Sequence, residues 1–425
     1  MCELPVWIGI DDTDSYYGGC TTWIAAKLSY RFKDRLVDFP YLIRLNPEIP
    51  WKTRGNGALA IGLSSLTDKE VEEVASFVMA TARDEGKTNP SLLISWGGER
   101  QERFAIKAIR DVITKRELER TLEKIGPTSK YFLKKPGKMR GLIGCIAAIN
   151  HPWSDATYEL IAYRDDQNYE RPEFRDDVLW MDSLTAPVTF ANFDREVGKP
   201  LIYPHGPDPV LFGIRGEDPR VLKAAMMMLG NSCSLWMVFK TNQGTDEHVV
   251  GVNGFGLAYP YTTVSIEARV VSNPTITPGG HVVIDIIDRD GNSGQAVFYR
   301  QTGNLNRVAR RLMKGDLVRV WGGVRPETQR KVINGQGLVL IAPKILYDEV
   351  PSCPFCHRKM RQVNAGRYIC DTCKVQAMGR ARFYLKRDII VNRIYQPSAS
   401  AFKHLMKPAG RRPIRTPQEI KSVLS

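Results

Sequence analysis

Short apolar runs alternate with amphipathic stretches through the first 135 residues. Runs at 6–10, 41–45, 58–63 and 92–95 are brief and bounded by polar or glycine-bearing segments, the signature of strands. Stretches 22–33, 68–84 and 101–124 repeat apolar residues at helical spacing. Asp68 opens the second of these well, and Gly86 is a good stop. Segment 128–140 is polar and carries Pro and Gly, which predicts a linker or mobile loop. Beyond it, 142–149, 159–163, 210–214 and 235–241 read as strands and 218–228 as a helix. That order suits a two-layer sandwich of ferredoxin-like type, either separate from the first unit or interdigitated with it.

The pattern changes again at 258–346. Strand-like runs at 264–271, 281–288, 294–300, 317–324 and 338–345 are separated by turn residues, with one short helix at 305–313. Asp288-Arg289-Asp290-Gly291 is a good hairpin turn. Five strands with a helix after the third is the pattern of an OB-fold barrel. The expected architecture is multidomain α+β. It comprises an α/β nucleotide-binding domain (1–135), a ferredoxin-like domain (136–256), an OB fold (257–348), a zinc ribbon (349–380) and a basic C-terminal segment (381–425).

Composition excludes several classes. With 43% hydrophobic and 25% charged residues the chain is globular, not disordered. No apolar run approaches the ~20 residues that span a bilayer, and the start lacks a signal-peptide pattern. The expectation is a soluble, cytoplasmic protein with no membrane or obligate protein partner. Charge is unevenly spread. Of the net charge of +14, almost all lies after residue 350, so the first 350 residues are nearly neutral. A basic block at one end is a footprint for a polyanion, nucleic acid above all. A solvated tail that aids solubility is the alternative.

Among eight cysteines, four form two tight pairs, Cys353-x-x-Cys356 and Cys370-x-x-Cys373. Two such turns supply four thiolates to one tetrahedral ion, and four cysteines leave no open position, so a structural zinc is expected. An iron–sulfur centre and redox dithiols are the rivals. His357 adjoins one pair and reads as a surface residue. The scattered remaining cysteines suit a reducing compartment. An OB fold, a zinc ribbon and a basic tail together read as a nucleic-acid-binding assembly. Tyr299 and Trp321 are either stacking platforms or core fillers of the barrel. Arg300 and Arg325 beside them, and Arg411 and Arg412 in the tail, are candidate phosphate contacts.

The chemistry concentrates near the start, in Asp11-Asp12-Thr13-Asp14-Ser15-Tyr16-Tyr17-Gly18-Gly19-Cys20-Thr21-Thr22. The cluster sits between an apolar run and a helical pattern, at a strand-to-loop-to-helix corner. Free N–H groups and the helix dipole favour anions there. Asp11, Asp12 and Asp14 are suited to magnesium on ATP phosphates. If the backbone stays extended, Asp12 and Asp14 share one face and Asp11 takes the other. The competing reading is an Asp-Thr-Asp-Ser turn capped by its own side chains. Gly18, Gly19, Cys20 and Thr22 form the candidate phosphate loop. Two further clusters are either triphosphate clamps or plain turns: Arg44 and Asn46 with Lys52-Thr-Arg54-Gly-Asn-Gly, and Lys87-Thr-Asn-Pro. No Walker A, kinase glycine-rich or Rossmann pattern is present.

These residues carry a resemblance. WIGIDDTDS…GGCTT, FPYLIRLNPEIPWKTRGNGA, KTNP, RGLIGCIAAI, ELIAYR and PDPVLFGIRGE resemble, in order and over nearly the whole chain, the archaeal tRNA(Ile) 2-agmatinylcytidine synthetases. The Gly18-Gly19 pair departs slightly from the family's pattern and predicts a more flexible loop. The resemblance implies four modules: a threonine/cytidine kinase domain, a ferredoxin-like domain, an OB fold and a zinc ribbon. It implies an ATP-dependent ligase that attaches agmatine to C2 of the wobble cytidine in the CAU anticodon of a minor isoleucine tRNA. AMP and phosphate are its products, and the modified tRNA reads AUA. It implies that Thr21 is autophosphorylated. Dicationic agmatine wants a carboxylate, for which Glu159, Asp208 and Asp246 are candidates. Two rivals are a nucleic-acid-binding protein without ligase activity and a small-molecule kinase with an RNA anchor.

Overall fold

The computed structural model describes residues 4–164, 175–204, 206–230, 233, 235–326, 329–384 and 387–411. The chain forms two bodies. Among the described residues, one holds those from 4 to 250, 261–263 and 398–411; the other holds 251–260 and those from 264 to 397.

The first body is built on one eight-stranded sheet. Its strands are β1 (Val6–Asp11), β2 (Tyr41–Arg44), β3 (Gly57–Leu63), β4 (Ser91–Ser95), β5 (Ser129–Leu133), β6 (Thr157–Tyr163), β9 (Val210–Gly216) and β10 (Leu235–Thr241). Two-residue strands β7 (Phe193–Asp194) and β8 (Lys199–Pro200) pair with each other. The order is β5-β4-β1-β3-β2-β10-β6-β9, and the β2–β10 junction is parallel. One sheet thus runs through both segments that the sequence assigns to separate domains. Segment 129–133 is an edge strand on β4, where the sequence suggested a linker.

Seven described helices accompany this sheet: α1 (Thr21–Arg31), α2 (Asp68–Thr81), α3 (Glu102–Arg110), α4 (Lys115–Ile125), α5 (Gly141–Ile149), α6 (Arg175–Thr185) and α7 (Pro219–Met228). Thr67 and Glu70 cap α2 reciprocally, as Thr114 and Glu117 cap α4. The extended backbone at Asp111 divides α3 from α4, which the periodicity merged into one helix. The strand expected at 142–149 is helix α5. Every residue of α5 but Ile143 is buried, so no polar face reveals its period, and a short apolar run reads equally as strand. The helix lies directly on β1, where a Cβ on Gly9 would stand 2.8 Å from the Cys145 carbonyl.

The second body is a closed five-strand barrel with a cysteine-rich appendage. Its barrel strands are β12 (Thr263–Val270), β14 (Val282–Ile287), β15 (Ser293–Phe298), β16 (Leu317–Val324) and β17 (Lys331–Ala342). The short strands β11 (Val249–Gly251) and β13 (Thr275–Ile276) stand outside the ring. The barrel strands run in the order β12-β16-β17-β15-β14, and β12 pairs with β14 to close it. Asp288 makes the β14–β15 turn by accepting from the N–H groups of Asp290 and Asn292. Helix α8 (Asn304–Ala309) follows β15. Ile266, Ile284, Phe298, Leu305, Val320 and Leu338 fill the interior.

Candidate functional site

A cavity of about 290 Å³ opens in the first body at the C-terminal end of β1. Asp11, Asp12, Asp14, Cys20, Thr21, Thr22, Arg44, Lys52, Thr53, Arg54, Arg140 and Asp208 all line it. The aspartates, the phosphate loop and the first of the two polar clusters therefore meet in one place.

The aspartate run does not stay extended. Asp12 has φ +57°, in the left-handed region that Asp tolerates better than most side chains. That reversal breaks the alternation, so all three aspartates face one cavity instead of two faces. Asp12 is buried and held from three directions. Its Oδ1 accepts from Thr53 Oγ1 at 2.7 Å, its Oδ2 accepts from the Asn89 N–H at 2.7 Å, and Arg140 Nη2 stands 3.2 Å from Oδ2. Asp11 Oδ1 accepts from the Asp12 N–H at 2.7 Å.

Electrostatics favour a cation here. Burial, with the neighbouring charges of Asp12 and Asp14, pushes the Asp11 carboxyl well above the carboxylate range. Burial also raises Asp14, against the pull of Arg54. Crowded, desolvated carboxylates of this kind are hard-oxygen ligands whose cost a divalent ion relieves.

Hydroxyls and cations complete the wall. Thr21, the first residue of α1, is buried. Its Oγ1 accepts from Thr13 Oγ1 at 3.0 Å and donates to Asp14 Oδ1 at 3.4 Å. Cys20 Sγ lies 3.0 Å from Thr22 Oγ1, and burial pushes the Cys20 thiol up to about 11, which keeps it protonated. Gly18 and Gly19 have φ of +144° and +81°, conformations that favour glycine. Arg54 bridges Asp208 Oδ2 at 3.0 Å and Asp14 Oδ2 at 3.4 Å. Arg44 Nε and Arg54 Nη2 are buried without a hydrogen-bond partner among the described residues.

Other expected residues lie elsewhere. Asn46 is buried in loop packing, donating to the Tyr261 carbonyl and accepting from the Glu48 N–H. Lys87 is exposed, and its carbonyl meets the site by accepting from Arg140. Of the three agmatine candidates, Asp208 lines the cavity. Glu159 is buried behind Arg44, bonded to Arg215 and Gln243. Asp246 accepts from the Lys407 N–H at 2.8 Å, outside the cavity lining. Arg140, which the sequence left in a linker, is the main omission. Its only signal was its place just before the apolar run that became α5.

In the second body, Trp321 is buried with its ring against Gly337, so it offers no open stacking face. Tyr299 is half-buried, donates from its hydroxyl to Asn334 Oδ1 at 3.0 Å and meets His281 edge-on. Arg300 and Arg325 are exposed. Arg411 corrects the picture of the basic tail. Its side chain is fully buried in the first body, between Asp155 at 2.6 Å and Glu217 at 2.5 Å. A guanidinium with two carboxylate partners is not a phosphate contact. Arg412 lies outside the described residues.

The thiols of Cys353, Cys356, Cys370 and Cys373 lie within 4.8 Å of one another, a set able to hold a metal ion. The two knuckles are built alike. His357 and Lys374 follow them at φ +58°, donating their N–H groups to the Cys353 and Cys370 carbonyls. No described helix is long and apolar enough to cross a membrane.

A carboxylate, hydroxyl and guanidinium cavity on one body, with a closed barrel and a four-thiol cluster on the other, defines a multi-module group-transfer enzyme. The chain belongs to the TiaS family, the 2-agmatinylcytidine synthetases that act on a minor isoleucine tRNA. The TiaS TCKD domain matches residues 7–69 and the TiaS FLD domain matches residues 139–248. The Pyrococcus horikoshii synthetase is 38% identical, with 94% of this chain and 96% of that protein covered. The Thermofilum pendens synthetase is 36% identical, with 97% of each covered. The crystal structure of TiaS in complex with its isoleucine tRNA, AMPCPP and agmatine is similar at a TM-score of 0.78 and 31% identity. It covers 97% of this chain and 100% of that one.

Proposed function

We propose that this enzyme joins agmatine to C2 of the wobble cytidine of the minor isoleucine tRNA, using ATP. The carrying observation is the cavity itself. It gathers three aspartates, Thr21 and three arginines in a chain 36% and 38% identical over nearly its full length to two named synthetases. A relative of the same fold has been crystallised with that tRNA, AMPCPP and agmatine.

The cytosine 2-oxo group is a poor leaving group. Transfer of one phosphoryl group from ATP to that oxygen makes it a good one, and formation of AMP requires the other phosphoryl group to pass to Thr21 and then to water as phosphate. The primary amine of agmatine then attacks C2, the C2–O bond breaks, and phosphate departs with the former oxo oxygen. Arg44 and Arg54 offer unpartnered N–H donors for phosphoryl oxygens, and Arg140 adds positive charge beside Asp12. Asp14 receives the Thr21 hydroxyl proton if Thr21 is the phosphoacceptor, as its hydrogen bond supports. Asp208 is the carboxylate we assign to the agmatine guanidinium. Magnesium fits Asp11, Asp12 and Asp14, and when bound would neutralise charge on the polyphosphate. The cytidine must leave the anticodon stack to reach this cavity.

The module names follow the same reading: a kinase-type domain at 1–135, a ferredoxin-like domain at 136–256, an OB fold at 257–348 and a zinc ribbon at 349–380. Four thiolates suit structural zinc. Tyr299, Arg300 and Arg325 remain candidates for tRNA contact.

The test is incorporation of labelled agmatine into an isoleucine tRNA with a CAU anticodon. Incorporation should require ATP and magnesium. Thr21→Ala should abolish it along with phosphate labelling of the protein. Incorporation that persists without ATP overturns the reading.

A further inference from the structure

Residues 398–411 return to the first body and pack against it. Leu405 and Met406 are buried at 1% and 2% exposure, with Leu405 in the core beside Ile43 and Ala58. The segment's backbone is stitched in place. The Gly244 N–H donates to the His404 carbonyl and the Asp246 N–H to the Leu405 carbonyl, at 2.9 and 2.8 Å. Lys403 pairs with Glu48 at 2.5 Å, and Arg411 anchors the far end on Asp155 and Glu217.

Through His404 this strap reaches the cavity wall. Arg44 Nη2 stands 3.7 Å from Glu159 Oε2. That same oxygen accepts from Gln243 Nε2 at 2.5 Å, and Gln243 Oε1 lies 3.1 Å from His404 Nδ1. Arg44 and His404 both approach Gly55, where a Cβ would stand 2.5 Å from Arg44 Nη1 and 3.1 Å from His404 Nε2. Arg44, Glu159, Gln243 and His404 are therefore linked in series, with Gly55 packed between the two ends at Arg44 and His404.

Hydrogen-bond chemistry fixes the protons along that series. Burial pushes the Glu159 carboxyl up, but Arg215, Arg44 and Gln243 outweigh it and hold it below its ordinary range, so it only accepts. The Gln243 amide must turn its NH₂ to Glu159, which leaves its oxygen for His404. His404 must then donate from Nδ1 and carry a bare lone pair on Nε2, on the Arg44 side. The Arg44 charge, with burial and the charges of Arg215 and Lys52, holds the imidazole well below its ordinary pKa and thus neutral.

We propose that His404 is a positioning residue for ATP binding: through Gln243 and Glu159 it sets the guanidinium of Arg44 against the cavity. The C-terminal strap is on this account part of the nucleotide site. The inference rests on the reading that ATP occupies this cavity.

The experiment is calorimetric titration of the full-length protein with AMPCPP, together with nitrogen NMR of the histidine rings. His404→Leu should weaken AMPCPP binding about tenfold, the scale of one hydrogen bond to a charged network. His404→Asn keeps a donor near the Nδ1 position and should restore most of that loss. Affinity for tRNA should be unchanged in both. The wild-type spectrum at neutral pH should show one ring in the neutral Nδ1–H tautomer, absent from both variants. Unchanged AMPCPP affinity in His404→Leu overturns the proposal, as does an equal loss in both variants. An imidazolium or Nε2–H tautomer at His404 also overturns it, even where the leucine variant does not fold. Failure of the wild-type protein to bind AMPCPP at all would instead refute the ATP site itself.

Discussion

Arg140 Nη2 lies 3.2 Å from Asp12 Oδ2, joining the start of α5 to the end of β1 across 128 residues of sequence. The same guanidinium donates to the Lys87 carbonyl. Arg140 is thus oriented by one neighbour while it faces a carboxylate that also serves Thr53 and Asn89. Arg140→Ala should lower agmatine incorporation by about a hundredfold, the scale of one lost cation near transferring phosphate. Arg140→Lys keeps the charge but loses the fork, and should recover only part of the rate. The pair is a third exposed on the arginine side, so thermal stability should barely move. Initial rates and melting temperatures of the three proteins check this. A rate equal to wild type in Arg140→Ala would show that the cation serves only Asp12.

Asp246 gives a prediction with a pH signature. Burial raises its carboxyl to about 6, against the Lys407 N–H and the charges of Lys407 and Arg411. The folded chain therefore holds a proton between about 4 and 6 that the unfolded chain releases. Above that window both states are ionised and the folded state bears the full cost. Below it neither is ionised and the cost is gone. Asp246→Asn should raise stability by about 1–2 kcal/mol at pH 7–8, with the gain fading to nothing near pH 4. Asn also tolerates the φ of +59° at this position. Urea unfolding of both proteins across that range is the measurement. Because Asp246 lies outside the cavity lining, the KM for agmatine should stay the same, whereas Asp208→Asn should raise it.

What the sequence made legible follows from where each signal lives. Strands β1, β3, β4 and β10 showed as short apolar runs because their side chains are buried in the sheet's cores. Barrel strands showed as runs set off by turns. Helix α5 did not show, because burial on all sides erases the polar stripe that marks a helix. Asp11, Asp12 and Asp14 stood out by residue type and proximity, whereas Thr21 was singled out only by the family resemblance. The shared face of the aspartates was not legible, since it depends on the single left-handed residue Asp12. Arg140 reaches the cavity, and His404 reaches Gln243 behind its wall, through contacts more than a hundred residues long in sequence, which no local pattern encodes. Counting charge also misled at Arg411, because a cation's role depends on which carboxylates surround it.

Arg411 tests that last point. Its guanidinium meets Asp155 and Glu217 and donates to the Gly244 and Ala156 carbonyls. Arg411→Met would leave two carboxylates and two carbonyls without it, with Lys407 still at 3.0 Å from Asp155. The expected cost is about 3 kcal/mol, near the lower end for a broken buried pair. The salt dependence of tRNA binding should keep its slope, since no phosphate contact is lost. A normal melting temperature with a shallower slope would return Arg411 to the RNA surface.

The four-thiol cluster separates stability from catalysis. The hydrophobic contacts described for the appendage are few, comprising Met360 and Tyr368 around the cysteines with Val350 and Ala377 alongside. So small a core has little apolar burial to fold on, which fits the proposed structural metal ion at the four thiols. Cys356→Ser should release the ion, measurable by elemental analysis of the purified protein. It should also expose the 351–380 backbone to rapid hydrogen exchange. The barrel has its own core of aliphatic residues and Phe298, so its exchange protection should persist. The cavity belongs to the other body, so AMPCPP binding should be unaffected while tRNA affinity falls. Equal loss of both affinities would mean that the cluster supports the nucleotide site as well, and retained metal in the variant would mean that three thiolates suffice.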